Sequence, residues 1–307
     1  MRHVRLAGVL LLLAPFAWGA EKSELINQVF PAAPGKVVWV DAGPLDLLVR
    51  AAEVPEIRVR IELSASAFKE KQALAWIEGH RPVLSDTPEQ LRIDAPDPSG
   101  LKLFRGVVAS KALIEVVVPN GVRPDVSTSD GTLRLEGEFS GGMPLRARAA
   151  SGEIELAGWA PEVELRSTSG DLRIRASRAI GSLLVRTASG DVVLTGGAHS
   201  VRCDSSSGSV LLEGLVGPIG LATTSGDVTA SFDTLERGDE VHITTTSGKV
   251  RITLPPQTAP GGELASARGQ IRSLYPGDAD SKGGRLRLAG GGPKVVVTTT
   301  SGKIDLN

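Results

Sequence analysis

Cysteine is almost absent. Cys203 is the only one, so no intrachain disulfide can form and the fold must rest on packing and hydrogen bonds. Aromatic residues make up only 4% of the chain, which points to a slim interior. Histidine is scarce as well: His80, His199 and His242 stand in unrelated contexts and His3 lies in the leader, so no Ser-His-Asp arrangement is visible. Neither sign of charge dominates, with 34 basic against 35 acidic residues, and nucleic acid is not an expected partner. Long apolar runs are missing but for one, Leu6 to Phe16, which follows Arg2 and Arg5 and precedes the small residues Ala17, Gly19 and Ala20. This is the pattern of a secretory signal peptide over residues 1–20, too short to span a bilayer, with cleavage expected after Gly19 or Ala20. Losing Arg2 and Arg5 leaves 32 basic residues and a net charge of about −3. No cysteine near the cleavage site offers a lipid attachment point, and no transmembrane segment follows. The expected destination is the periplasm, the cell surface or the extracellular space.

What the chain has in abundance is a repeat. SGEIEL begins at Ser151, SGDLRI at Ser169, SGDVVL at Ser189, SGSVLL at Ser207, SGDVTA at Ser225, SGKVRI at Ser247 and SGKIDL at Ser301, with degenerate copies at Asp130 and Arg268. The turn glycines are therefore Gly131, Gly152, Gly170, Gly190, Gly208, Gly226, Gly248, Gly269 and Gly302, spaced 18 to 22 residues apart except for a last interval of 33. That interval must hold an insertion or an extra coil.

Apolar residues alternate on both sides of each Ser-Gly, but parity flips across it: a small residue lies five positions before the next apolar one, as in Thr187 to Val192 and Thr245 to Val250. Side chains in a strand alternate with period two, so an odd offset requires a corner, where glycine supplies a conformation closed to other residues. Short strands joined by such corners bury their apolar face only by stacking. The column Thr128, Ala149, Ser167, Thr187, Ser205, Thr223, Thr245, Ser266 and Thr299 then reads as a narrow inner corner whose hydroxyls bond the backbone. The fold expected is all-β, a β-helix or β-solenoid of about nine or more coils. Residues 126–307 form its regular part; residues 21–125 are β-rich opening coils, beginning with Val38 to Leu47 and including a short helix at 66–78 that ends at Gly79. The final segment KVVVTTTSGKIDLN reads as an open edge, which residues 275–284 cap or a second subunit covers.

The series TSGDLRI, ASGDVVL, TSGDVTA and TTSGKVRI, preceded by VVVPNGVRPDVSTSDG, resembles the bacterial putative-adhesin family of exported β-solenoids, a group of unknown function, over roughly Val37 to Asn307. The resemblance implies a right-handed, single-stranded β-helix at the cell envelope and brings no reaction and no catalytic residues. Arg268 in place of the repeat serine and the break from Leu274 to Gly292 depart from the pattern.

Seven near-identical serines without a paired base are turn residues rather than nucleophiles. Glu153, Asp171 and Asp191, with Asp227 further on, stack after the glycines; such carboxylates could bind calcium or act as the acidic pair of a polysaccharide-cleaving enzyme, the alternative being a solvated corner. Ser209, Lys249 and Lys303 break that ladder. Arg148, Arg166 and Arg186 recur outward on successive coils, so that they hold an acidic glycan or phosphate, or are neutralised by the acids beside them. Ligand contact is therefore expected at Arg148, Arg166, Arg186, Asp171 and Asp191, with no catalytic residue, metal or cofactor. Three functions fit: a non-catalytic binding or scaffolding module with an envelope glycan or protein partner, or itself as a homo-oligomer; a β-helical polysaccharide lyase or hydrolase; and an envelope-stress sensor.

Overall fold

The computed structural model describes residues 20–96, 106–141, 144–281 and 284–307, so the leader reading lies almost wholly outside the described residues. The chain divides between Gly152 and Glu153 into two compact units.

The first unit comprises β1 (Ala20–Pro31), β2 (Val37–Asp41), β3 (Asp46–Ala52), β4 (Glu56–Ala67), helix α1 (Glu70–His80), β5 (Val83–Asp86), β6 (Gln90–Asp94), β7 (Val107–Pro119), β8 (Arg123–Thr128), β9 (Leu133–Glu138) and β10 (Leu145–Ala149). One sheet runs β1-β4-β7-β3-β9 and the other β10-β8-β2-β6-β5. β2 and β3 meet at a corner at Gly43 and pair in parallel with β8 and β9, which makes them the first coil. β1, β4 and β7 depart from coil geometry: they are long and antiparallel.

The helix begins and ends later than the sequence pattern indicates. Ile57, Val59, Ile61, Leu63, Ala65 and Ala67 are all buried, so the period-two burial of β4 holds the backbone extended to Ala67. The first turn then closes with the N–H of Lys69 donating to Gln72 Oε1 at 3.1 Å. Gly79 lies inside the helix and does not cap it; the extended residue Arg81 stops it, because Pro82 disfavours helical geometry in the residue before it. The helix packs on β1 and β4, with Ala73, Trp76 and Ile77 buried, and ion pairs Lys22–Glu70 and Arg81–Glu24, both 2.7 Å, tie it to β1.

The second unit is a β-solenoid with one strand of each coil in each of two sheets. Its strands are β11 (Ile154–Trp159), β12 (Glu162–Ser167), β13 (Leu172–Ala176), β14 (Ser182–Thr187), β15 (Val192–Thr195), β16 (Val201–Ser205), β17 (Val210–Leu215), β18 (Ile219–Ser225), β19 (Val228–Phe232), β20 (Glu240–Ser247), β21 (Val250–Thr253), β22 (Gly261–Ser266), β23 (Ile271–Ser273), β24 (Gly277–Ala279), β25 (Arg285–Ala289), β26 (Lys294–Thr299) and β27 (Ile304–Leu306). Parallel register keeps like on like: Leu172, Val192, Val210, Val228, Val250 and Ile304 form one buried column. Leu183, Val201, Ile219, Val241 and Val295 form the facing one.

Spatial order departs from chain order at the C-terminal end. The sheets run β19-β21-β27-β23 and β18-β20-β26-β22-β25-β24, so the last coil of the sequence is inserted between the two coils that precede it. The expectation of an open edge at residues 294–307 is thereby corrected: β27 is paired on both sides, and β23 and β24 are the outermost strands. The long interval holds the antiparallel hairpin β24–β25, which pairs on β22. The glycine column explains why the insertion fits. A Cβ on Gly302 would lie 1.9 Å from the carbonyl oxygen of Gly248, and one on Gly269 1.8 Å from that of Gly302, so these α-carbons stack in the order 248, 302, 269. Gly190 combines such contact, 2.4 Å from the Gly170 oxygen, with a left-handed φ of +118°.

Candidate functional site

Below each corner the small-residue column bonds the backbone in two ways. Ser167 Oγ accepts the N–H of Gly170 at 2.8 Å and Thr299 Oγ1 that of Gly302 at 2.9 Å. Thr187 Oγ1 instead donates to the carbonyl of Ser189 at 2.9 Å, as Thr245 does to Ser247 at 3.0 Å. Ser167, Thr187, Thr245 and Thr299 of the inner column are thus structural groups of the turn.

The acidic residues after the glycines form a ladder between coils. Asp46 Oδ1 accepts the N–H of Thr132 at 2.8 Å in the first unit. In the second, Asp171 Oδ1 accepts that of Asp191 at 2.9 Å, Asp191 Oδ1 that of Ser209 at 2.7 Å and Asp227 Oδ1 that of Lys249 at 2.8 Å. Each carboxylate engages the equivalent position of the next coil. Asp171 also pairs with Arg173 at 3.1 Å. Among the described residues no group of three or more His, Cys, Asp or Glu could hold a metal ion.

The arginines occupy two settings. Arg148, on β10 of the first unit, pairs with Asp125 at 2.6 Å. Arg166 and Arg186 stand side by side on β12 and β14 of the second unit, aligned in register. Arg166 pairs with Glu164 at 2.5 Å, while among the described residues Arg186 has only the looser Asp204, 3.8 Å away and shared with Arg202. Beside them an open groove of about 470 Å³ crosses β14, β16 and β18, floored by Ala188 and Ala222 and edged by the hydroxyls of Ser206, Thr224 and Thr244. Sequence position alone marked the arginines; the hydroxyl edge comes from placing Ser206 and Thr224 on neighbouring coils.

Elsewhere the thiol and the tryptophans Trp39, Trp76 and Trp159 have packing partners. Cys203 is fully buried, and burial, with Asp204 beside it, pushes its thiol up to about 12, far from a reactive thiolate. Trp39 and Trp159 lie under Arg92 and Arg178 at 4.0 and 3.6 Å, and Trp76 stacks on His80 at 4.1 Å. One cluster went unseen in the sequence. The insertion of β27 brings Lys249, Arg251, Arg272 and Lys303 around Asp305, and only the break of the acidic ladder at the two lysines hinted at it.

Stacked parallel coils with Ser-Gly corners define a β-solenoid repeat protein. The Toastrack DUF4097 family, a domain of unknown function, matches residues 114–307, and the chain belongs to it. A protein from Parabacteroides distasonis, described as a putative lipid binding protein, shares the fold at TM-score 0.51 and 10% identity over 92% of this chain and 97% of its own. Putative adhesins from Parabacteroides merdae and Bacteroides fragilis superpose at TM-scores 0.49 and 0.45, each at 12% identity over 92% of this chain and 96% and 97% of theirs. No curated protein matches. No helix among the described residues is long and apolar enough to cross a membrane.

Proposed function

We propose that the protein is an exported, non-catalytic binding module of the cell envelope that holds an acidic glycan in the groove beside Arg166 and Arg186. The observation that carries this reading is the make-up of that groove: two aligned guanidinium groups, the second only loosely countered, next to a row of hydroxyls on a rigid stack. Guanidinium forks match carboxylate or sulfate oxygens, and hydroxyls at the spacing of neighbouring strands, about 4.8 Å, suit an extended sugar chain. The engagement of Asp171 and Asp191 in backbone hydrogen bonds supports a non-catalytic role, since a general acid or nucleophile must be free to meet substrate. Adhesion is what the family resemblance adds.

Binding of the purified mature protein to a panel of acidic and neutral polysaccharides tests the proposal. Arg166→Ala/Arg186→Ala should weaken retention of the acidic members by about tenfold or more, and added salt should do the same. Unchanged retention removes the groove from consideration. Release of reducing or unsaturated sugars that Asp171→Ala abolishes would establish the lyase or hydrolase reading instead.

A further inference from the structure

A basic cluster at the C-terminal coil lies apart from the groove and shares no residue with it. Register aligns Arg251 of β21 with Asp305 of β27, and Asp305 with Arg272 of β23, so three side chains stand in one row across adjacent parallel strands, each about 4.8 Å from the next. Lys249 and Lys303 stand one same-face step earlier, and both reach Asp305, at 3.1 and 2.8 Å. The Asp305 side chain is only 11% exposed beneath them. Its capacity is thus taken by the two lysines, and neither Arg251 nor Arg272 has an ion-pair partner among the described residues. Four cationic side chains against one acidic side chain leave an excess of about three positive side-chain charges on a patch three strands wide, and like charges so close repel. They surround a cavity of about 380 Å³. Leu274, on the same cavity, is 80% exposed, the most exposed of the large hydrophobic side chains among the described residues.

We propose that this face binds a phosphate-bearing anion, with the guanidinium groups of Arg251 and Arg272 gripping it from either side of Asp305. A single carboxylate would leave most of the excess charge uncountered, whereas a phosphate monoester or pyrophosphate carries two or more negative charges and offers oxygens on several sides to two planar forks. Phosphate oxygens are presented by a soluble phosphate compound or by the headgroups of anionic lipids, where neighbouring singly charged diesters on a membrane surface together supply the charge, and Leu274 gives the second an apolar contact at the rim.

Calorimetric titration with pyrophosphate and flotation with phosphatidylcholine vesicles, with and without phosphatidylglycerol, separate the two sources. Saturable pyrophosphate binding without flotation assigns the site to a soluble phosphate; flotation that requires phosphatidylglycerol and drops in Leu274→Ser assigns it to a lipid. In either case Arg251→Ala/Arg272→Ala should weaken binding by about tenfold or more, while Arg202→Ala, an exposed arginine on β16, leaves it unchanged. The double variant should melt like the parent, since both side chains are exposed and unpaired; should it not, Arg251→Gln alone provides the reading. Absence of saturable binding to either probe, or binding indifferent to the arginine changes, overturns the proposal.

Discussion

Asp171 Oδ1 accepts the main-chain N–H of Asp191 on the next coil at 2.9 Å, and Asp191 repeats the contact on Ser209 at 2.7 Å. The acidic residue of the Ser-Gly-Asp repeat therefore staples successive coils at the corner, where the strand ladder is interrupted and a backbone donor needs a partner. Asp191→Ala removes one staple and should cost about 1 kcal/mol, or about 2–4 °C in melting temperature for a unit of this size. Asp171→Asn keeps an acceptor and should cost less. Calcium should leave the melting temperature of the parent unchanged; a calcium-dependent rise would show that the carboxylates are available to a metal after all.

The glycine column makes a sharper prediction, because contact with the neighbouring coil, rather than turn geometry alone, forbids a side chain. A Cβ on Gly302 would lie 1.9 Å from the Gly248 carbonyl oxygen, and backbone on both sides cannot move without opening the sheets. Gly302→Ala should destabilise by about 3 kcal/mol or more. Gly220 on β18 is the control: nothing lies within 4 Å of an added Cβ, so Gly220→Ala should be neutral or stabilising by about 0.5 kcal/mol. Equal costs at the two positions would refute the stacked column.

The repeat was legible in the sequence because each coil writes the same parity flip around Ser-Gly, as in Thr187 to Val192, and parity is fixed by the strand period. The order of coils was not. Val295 and Ile304 match the pattern of Val241 and Val250 as well as any neighbour does, so nothing local says that the segment carrying them lies before residues 261–273 in space. The basic cluster was hidden for the same reason, since Arg272 meets Arg251 and Asp305 only through that insertion. Arg166 and Arg186, on consecutive coils in normal order, could be aligned by counting. The start of α1 was misplaced because Ser66 and Ala67 suit a helix by propensity, while pairing of β4 with β7 and β1 holds them extended.

Asp305 gives the stack a pH dependence of known sign. Burial alone would raise its carboxyl, but hydrogen bonds from Lys303 and Lys249 outweigh this and hold it below the ordinary value of 3.8. The folded state therefore binds fewer protons at this site than the unfolded chain. The stabilisation is fully present above the ordinary carboxylate range and is lost as pH falls below it through the lowered folded value. Urea unfolding at about pH 5 and about pH 3 should show an acid loss of stability that Asp305→Asn reduces. An identical acid slope in the variant would locate the sensitivity elsewhere.

The inserted coil should act as a keystone. β26 and β27 bury Val295, Val297, Ile304 and Leu306, each at 0% exposure, and among the described residues they join β20 to β22 and β21 to β23. Burial of four such side chains contributes on the order of 6–12 kcal/mol, comparable to the whole stability of a typical domain. Deleting residues 293–307 should therefore do more than trim an end. It removes the surface on which β22 and β23 rest, because the Cα of Gly269 is seated on Gly302 and not on Gly248. Hydrogen exchange should show residues 261–273 unprotected in the truncated protein, while β11 to β15, stacked in chain order and several coils away, keep their protection. Retained protection over 261–273 would mean that this segment can close directly onto β20 and β21, and that the last coil is an addition to the stack rather than the piece that locks it.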